Sequence, residues 1–284
     1  MNPRVLVLLS AVCFGTTGTA QALGPDGTEP SVVGAARVAV GGALLALLAW
    51  RRGGAPWPRV PVLLGAAGVA GYQLTFFAAV DATGVAVGTV VALGSGPVFA
   101  GLLARERVTV RWAAATGLAV AGVAVLVAAG TSAEIDPGGV ALALGAGVSY
   151  ATYTVAAKRL LAEHGPEAVM ARLFGLGAIA LAPVLVVEGL GEVGSAGGIA
   201  LAVYLGAIPT ALAYVLFARG LRHLPAGEVA TLTLAEPVTA TALGVDVLGE
   251  RPGAVALLGV ALVLAGLAVL AAPRRRAVPD PLPV

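Results

Sequence analysis

The sequence contains one pattern twice. Residues 89–98 read TVVALGSGPV and residues 229–238 read VATLTLAEPV, with Pro-Val at the end of both segments. A Glu-Arg pair follows in each copy, at 106–107 and at 250–251. A chain that carries the same pattern in both halves is expected to fold as two related units.

The composition indicates that these units lie in a lipid bilayer. Hydrophobic residues make up 58% of the 284 positions, charged residues only 11%, and the mean hydropathy is +0.95. A soluble domain of this size carries more charge on its outer surface. The 40 glycines agree with a membrane location, because small residues let membrane helices approach closely. The sequence therefore predicts an integral membrane protein.

Ten apolar segments of about 20 residues have the length of a membrane-spanning helix. They are residues 4–24, 31–50, 60–80, 83–104, 111–129, 138–158, 167–188, 198–219, 225–248 and 252–272. The pattern therefore predicts an all-α integral membrane fold with ten transmembrane helices.

Basic residues set the orientation of these helices, because cytoplasmic loops are enriched in Lys and Arg. With the N-terminus in the cytoplasm, most of the 17 basic residues fall in inner loops, and acidic residues dominate the outer loops. Each half holds five helices, an odd number, so the second half must enter the membrane from the opposite side. We therefore expect two inverted five-helix repeats, 1–130 and 137–272, and a cytoplasmic tail, 273–284.

Several classes of function are disfavoured by what the sequence lacks. The single cysteine, Cys13, excludes an internal disulfide and a multi-cysteine metal site. The two histidines, His164 and His223, are solitary and lie in charged segments that read as loops. The arginines are spread along the chain rather than clustered as in nucleic-acid-binding proteins. We expect no metal, no cofactor, no nucleic-acid partner and no enzymatic activity.

Four motifs carry a resemblance to a known family. They are Gly96-Pro97-Val98-Phe99-Ala100 followed by Glu106-Arg107, Glu236-Pro237-Val238 followed by Gly249-Glu250-Arg251, and the arginines Arg37 and Arg172 near the starts of the second and seventh helices. In this order, and doubled over ten spans, they resemble the EamA-type members of the drug/metabolite transporter superfamily. The resemblance covers about 4–272 and implies export of small metabolites, such as amino acids, across the cytoplasmic membrane.

Duplicated membrane halves of inverted topology are typical of secondary transporters, so residues and resemblance agree on transport. We expect an alternating-access exporter whose partners are a small-molecule substrate, the lipid bilayer and, as a candidate coupling ion, the proton. A passive uniporter or facilitator is the alternative, and a membrane-embedded enzyme is less favoured. The sequence does not determine the substrate, the direction of transport or the oligomeric state.

Glu236 is the most unusual residue within the predicted spans. It lies near the middle of the ninth helix, among Ala, Leu, Thr and Val. An ionisable group at that depth is costly, and it marks a functional site by default. Glu236 is predicted to contact a substrate amine or to carry a proton, and the alternative is a carboxyl bonded to a helix that Pro237 loosens.

Two further pairs of residues occupy matching places in the halves. Pro97 and Pro237 fall in the middle third of the fourth and ninth helices, where a proline permits a hinge or a static kink. Arg37 and Arg172 lie five or six residues inside their helices, one near each membrane face. An arginine there is expected to snorkel, to form a structural pair or to act as a gate.

Polar and aromatic side chains on the other helices are candidates for lining a substrate cavity. Together with Glu236, these candidates are Gln73, Tyr72, Tyr150, Tyr153, Tyr214, Thr16, Thr17, Ser95 and Thr233. Ser and Thr often bond to their own helix backbone, so the amide and the tyrosines are the stronger candidates.

Glu106 and Glu250 lie near the starts of the fifth and tenth helices. A carboxylate at that place interacts favourably with the positive end of the helix dipole, and a structural role is predicted for both.

Overall fold

The structure, a computed structural model, describes residues 1–50, 56–128 and 136–272, without the side chains of 84–86 and 127. The predicted tail, 273–284, lies outside the described residues, as do positions 129–130 at the end of the first predicted unit.

The described residues form helices and no strand. The helices are α1 (Pro3–Ala22), α2 (Pro30–Ala49), α3 (Arg59–Leu103), α4 (Val110–Ala128), α5 (Pro137–Leu160), α6 (Pro166–Val187), α7 (Ala196–Gly206), α8 (Ala213–Leu221), α9 (Ala226–Thr233), α10 (Glu236–Leu248) and α11 (Ala254–Ala271). A 3₁₀ turn, Gly191–Gly194, precedes α7, and a π-helical segment, Ala207–Leu212, joins α7 to α8.

Over the described residues, seven helical stretches are long and apolar enough to cross a membrane. They are Pro3–Ala22, Pro30–Ala49, Arg59–Thr83, Pro137–Leu160, Pro166–Val187, Ala196–Leu221 and Ala254–Ala271. Two shorter apolar stretches are Val87–Leu103 and Val110–Leu126. The all-helical membrane fold predicted from the sequence is confirmed at this level.

The local sequence explains where several helices begin. Proline lies in the first turn of α1, α2, α5 and α6, where its missing N–H would have had no partner within the helix. The Asn2 side chain accepts a hydrogen bond from the backbone N–H of Arg4, and Asp136 accepts one from Gly139. These caps satisfy N–H groups at the starts of α1 and α5.

The long helix α3 turns back on itself. A Cβ built on Gly88 would lie 3.3 Å from the backbone nitrogen of Val80, whereas eight residues of straight helix span about 12 Å. The two arms, Arg59–Thr83 and Val87–Leu103, therefore run in opposite directions. Both arms pack against α5, which contacts the first arm at Gly68 and the second at Gly96.

One end of the helix bundle carries basic side chains that bind across neighbouring helix ends. Arg4 pairs with Glu228 at 2.8 Å, and Arg219 pairs with Glu167 at 2.5 Å. Arg111 donates hydrogen bonds to carbonyl groups at the end of α11. We call this end, which Arg4, Arg111, Lys158 and Arg219 define, the basic end.

Acidic residues lie at the opposite end of the bundle. Glu29, Asp81 and Glu188 line a cavity of about 540 Å³ between α2, α3 and α6. The Ser31 hydroxyl on α2 donates a hydrogen bond to the Glu188 carboxylate at the end of α6. We call this end, which the three carboxylates define, the acidic end.

Candidate functional site

A cavity of about 350 Å³ lies among α1, α2, α3, α5 and the segments from Ala207 to α10. Its walls reach toward the acidic end at Gln21, near the end of α1, and at Thr89, near the start of the second arm of α3. Toward the basic end the cavity stops at Tyr150 and Thr233. We call this space the central cavity.

Among the described residues that line the central cavity, Glu236 is the one acid and Arg37 the one base. The guanidinium of Arg37 lies within electrostatic reach of the Glu236 carboxyl. No hydrogen bond or ion pair joins the Glu236 carboxyl to another described side chain. The cavity therefore offers a ligand one group of each charge.

Glu236 reaches the cavity because the chain is interrupted beside it. The helix α9 ends at Thr233 and α10 begins at Glu236, with Leu234 and Ala235 in between. Pro237 lies in the first turn of α10, where proline fits, and it also lines the cavity. Pro97, its counterpart in the repeat, lies inside α3 with no interruption of the helix.

Arg37 is held in place from behind the cavity wall. One guanidinium nitrogen donates a hydrogen bond to Gln73 Oε1 at 3.0 Å, and the Gln73 amide donates one to the Gly34 carbonyl at 3.0 Å. Gln73 is buried, so it supports Arg37 rather than lining the central cavity. The Nε atom of Arg37 is buried and has no hydrogen-bond partner among the described residues.

Aromatic rings form much of the remaining wall. Tyr72, Tyr150 and Tyr214 line the central cavity, and Phe14 stands 5.0 Å from the Tyr214 ring. The Tyr150 hydroxyl lies 3.1 Å from that of Thr233, which also faces the cavity.

The other predicted site residues lie in several places. Thr17 lines the cavity, and Tyr153 lies one layer behind it, 3.4 Å from the Tyr214 hydroxyl. Thr16 and Ser95 instead donate hydrogen bonds to carbonyls of their own helices, at 2.7 Å and 3.3 Å. Arg172 stands over the ring of Trp57, 4.6 Å from its centroid, away from the central cavity.

Three features of the cavity wall were not predicted from the sequence. Pro209 lines the cavity within the π-helical segment Ala207–Leu212, where the Thr210 hydroxyl donates to the Leu205 carbonyl at 2.8 Å. Phe76 and Phe77 also form part of the wall. Pro209 stands in the middle of the predicted span 198–219, so the reasoning applied to Pro97 would have identified it.

The basic end of the cavity is closed by packing and by polar contacts. Phe217 is 0% exposed, and Tyr153 is 2% exposed, immediately beyond the cavity floor. Lys158 Nζ donates hydrogen bonds of 2.7 Å to the carbonyls of Leu221 and Leu224. This network joins α5 to the turn between α8 and α9.

Glu106 differs from its predicted role. Its two carboxylate oxygens accept hydrogen bonds from the backbone N–H groups of Ala226 at 2.5 Å and Gly227 at 3.0 Å. The carboxylate therefore caps α9, in the other half of the chain, rather than the helix that follows it in sequence. Contacts over this separation leave no local pattern in a sequence.

The chain matches the EamA-like transporter family twice, over residues 3–128 and 137–272. It therefore belongs to this family of transporters, as its motifs predicted, and not to a class of enzymes. The two matches together cover nearly the whole chain.

The relatives are transporters of similar length. The chain is 41% identical over 282 residues to "Uncharacterized transporter YwfM" of Bacillus subtilis, covering 96% of this chain and 95% of the relative. It is 31% identical over 270 residues to "Threonine/homoserine exporter RhtA" of Escherichia coli K12, covering 92% and 88%. It is 30% identical to "Probable terminal-alkyne amino-acid exporter" of Streptantibioticus cattleyicolor, covering 93% and 91%.

A solved crystal structure of a protein 22% identical in sequence has the same fold, with a TM-score of 0.83 over 95% of this chain and 96% of that one. The family and the relatives together identify the chain as a small-metabolite transporter, and the bacterial relatives place it in a cell membrane.

Proposed function

We propose that this protein exports amino acids or related amphipathic metabolites across the cell membrane by alternating access. The observation that carries the proposal is the central cavity, which presents Glu236 and Arg37 to one space of about 350 Å³. Such a volume is that of a small-molecule site.

The charges of the cavity complement those of an α-amino acid. Its ammonium group would bind to the Glu236 carboxylate and its carboxylate to the Arg37 guanidinium, whose planar donors suit that partner. Tyr72, Tyr150 and Tyr214 would contact the rest of the molecule. The printed names of two relatives, a threonine/homoserine exporter and an amino-acid exporter, support the same class of substrate.

The proposal includes ten membrane spans arranged as two inverted five-helix repeats. Over the described residues, ten helical stretches result when the two arms of α3 are counted separately and α7–α8 and α9–α10 are each counted as one. In this proposal they run alternately between the basic end and the acidic end. We assign the basic end and both termini to the cytoplasm, because basic residues concentrate on that side of membrane proteins.

In this orientation the structure is outward-facing. The central cavity reaches toward the outer, acidic end, and the contacts of Lys158 and the buried Phe217 close the inner end. The interruptions at Pro209 and Pro237 would let these spans bend as the halves rock, with Pro97 as a third bending point. The free energy for export would come from the substrate gradient or from proton exchange at Glu236.

The test is to measure export with and without the charge of Glu236. The medium of bacteria that express the protein is compared by mass spectrometry with that of bacteria that express Glu236→Gln. Asp246→Asn is the matched control, because Asp246 is an exposed acid on the same helix α10. We expect an amino compound to accumulate with the intact protein and with the control, and not with Glu236→Gln. Media that match those of an empty-vector strain would contradict the proposal.

A further inference from the structure

The Glu106 carboxylate connects the two halves at the basic end. Its oxygens accept from the first two N–H groups of α9, Ala226 at 2.5 Å and Gly227 at 3.0 Å. These N–H groups have no partner within the helix, and a carboxylate there also faces the positive end of the helix dipole. The contact is therefore charge-assisted and bidentate.

Glu250 occupies the matching position in the repeat. It comes shortly before α11 as Glu106 comes before α4, and each is followed by arginine. Because 229–238 corresponds to 89–98, the N–H groups that match those of Ala226 and Gly227 belong to residues 86 and 87. Residue 87 begins the second arm of α3, Val87–Leu103, and residue 86 immediately precedes it.

Glu250 does not make the matching contact. Its side chain is exposed and packs beside Gly244 on α10, with no hydrogen bond to a described residue. One member of the repeat pair is therefore hydrogen-bonded at the closed basic end, and the other, at the acidic end, has no side-chain hydrogen bond within the described part of the chain.

A second matched pair shows the same asymmetry. Phe217 is fully buried at the basic end. Its counterpart Phe77 lies between the central cavity and the cavity that Glu29, Asp81 and Glu188 line at the acidic end, and it lines both. In both repeat pairs, the member at the basic end is held in a closed contact, and the member at the acidic end is not.

We infer that Glu106 and Glu250 are alternating latches of the transport cycle, positioning residues that close the inner and the outer end in turn. In the inward-facing state, Glu250 accepts hydrogen bonds from the N–H groups of residues 86 and 87, and Glu106 releases α9. This inference rests on the proposed alternating access of inverted repeats, and it assigns a function to a carboxylate that has no hydrogen bond to a described residue in the outward-facing state.

The test uses cysteines at a third repeat pair in a Cys13→Ser background. Ala240 lines the central cavity, and its counterpart Ala100 is 0% exposed. Labelling of Ala240→Cys by a membrane-impermeant maleimide from outside reports the outward-facing state. Labelling of Ala100→Cys in inside-out vesicles reports the inward-facing state.

The two latch variants are expected to act in opposite directions. Loss of the charge-assisted contact in Glu106→Gln raises the rate of Ala100→Cys labelling on the order of tenfold, because the outward-facing state loses its latch. Glu250→Gln lowers that rate on the order of tenfold and leaves the outer labelling of Ala240→Cys at least as fast. Glu163→Gln and Glu192→Gln, exposed acids at the basic and acidic ends, are expected to change neither rate.

Equal labelling in Glu250→Gln and the parent overturns the inference, as does slower Ala100→Cys labelling in Glu106→Gln. No inner labelling in any variant also overturns it, since alternating access then fails. Glu250 is exposed, and its side chain has no hydrogen bond to a described residue, so its variant is expected to fold even where Glu106→Gln does not accumulate. Labelling needs no substrate, so opposite shifts without amino-acid export would support the latches while contradicting the proposed substrate.

Discussion

Arg37 donates a hydrogen bond to Gln73 Oε1 over 3.0 Å, and the Gln73 amide is in turn fixed by the Gly34 carbonyl at 3.0 Å. The first arm of α3 thereby holds a guanidinium that belongs to α2. A charged group held in advance costs less to order when a ligand binds. Gln73 is therefore the residue that sets the position of Arg37, the basic residue of the central cavity.

Replacing Gln73 by leucine tests this relationship. We expect the apparent KM for the exported compound to rise on the order of tenfold, because a hydrogen bond to a charged group contributes about 1.5–3 kcal/mol. The maximal rate should change less. Transport into proteoliposomes at a series of substrate concentrations separates the two effects. Thr75→Val is the control, because the Thr75 hydroxyl donates to the Gly71 carbonyl of its own helix. A similar KM in both variants would show that Gln73 does not position Arg37 for binding.

Tyr150→Phe removes one hydroxyl from the cavity wall with little effect on folding. The Thr233 hydroxyl donates to the Ala230 carbonyl at 2.8 Å, so at 3.1 Å it accepts from Tyr150. The variant leaves Thr233 with its own acceptor, and we expect a loss of about 1 kcal/mol or less in stability. The rate of export should fall, whereas the apparent unfolding temperature should stay close to that of the intact protein. Tyr204→Phe, a change of an exposed tyrosine on α7 outside the central cavity, should alter neither.

The sequence predicted the parts of the site that break a local rule of membrane helices. Glu236 stood out because an ionisable residue near mid-bilayer is costly, and the structure places it beside a helix interruption on the central cavity. The all-helical fold followed from apolar length alone. Tyr72, Tyr150 and Tyr214 were named as candidates on the helices expected to line a cavity, and all three line the central cavity.

The rest depends on contacts between distant segments. Arg37 was expected to snorkel, to pair or to gate, yet it lines the cavity because Gln73, 36 positions away, holds it there. Glu106 reaches α9 over a separation of 120 positions. The sequence indicates which polar and charged groups need hydrogen-bond partners. The partners themselves depend on how the helices pack.

The crossing of α4 and α11 should tolerate no added methyl group at Gly259. A Cβ there would lie 2.7 Å from the Gly122 carbonyl oxygen and from Leu126 Cα, and backbone atoms cannot move aside singly. We expect Gly259→Ala to cost about 1–3 kcal/mol and to lower the apparent unfolding temperature in detergent. Gly117→Ala on α4 is the control, because nothing lies within 4 Å of a Cβ built there. Equal unfolding temperatures for both variants would contradict this account of the crossing.

The pH dependence of export tests whether Glu236 also carries the coupling proton. In an antiporter, a proton enters as the substrate leaves, so a lower external pH should speed export by the intact protein. Glu236→Gln cannot exchange a proton at this position, and its residual export should not respond to the pH gradient. Proteoliposomes loaded with substrate, with the outer pH varied at constant inner pH, separate this effect from the substrate gradient. Asp246→Asn should keep the response of the intact protein, because Asp246 lies outside the central cavity. Export by the intact protein that ignores the pH gradient would instead identify a passive facilitator, in which Glu236 binds the substrate amine and exchanges no proton.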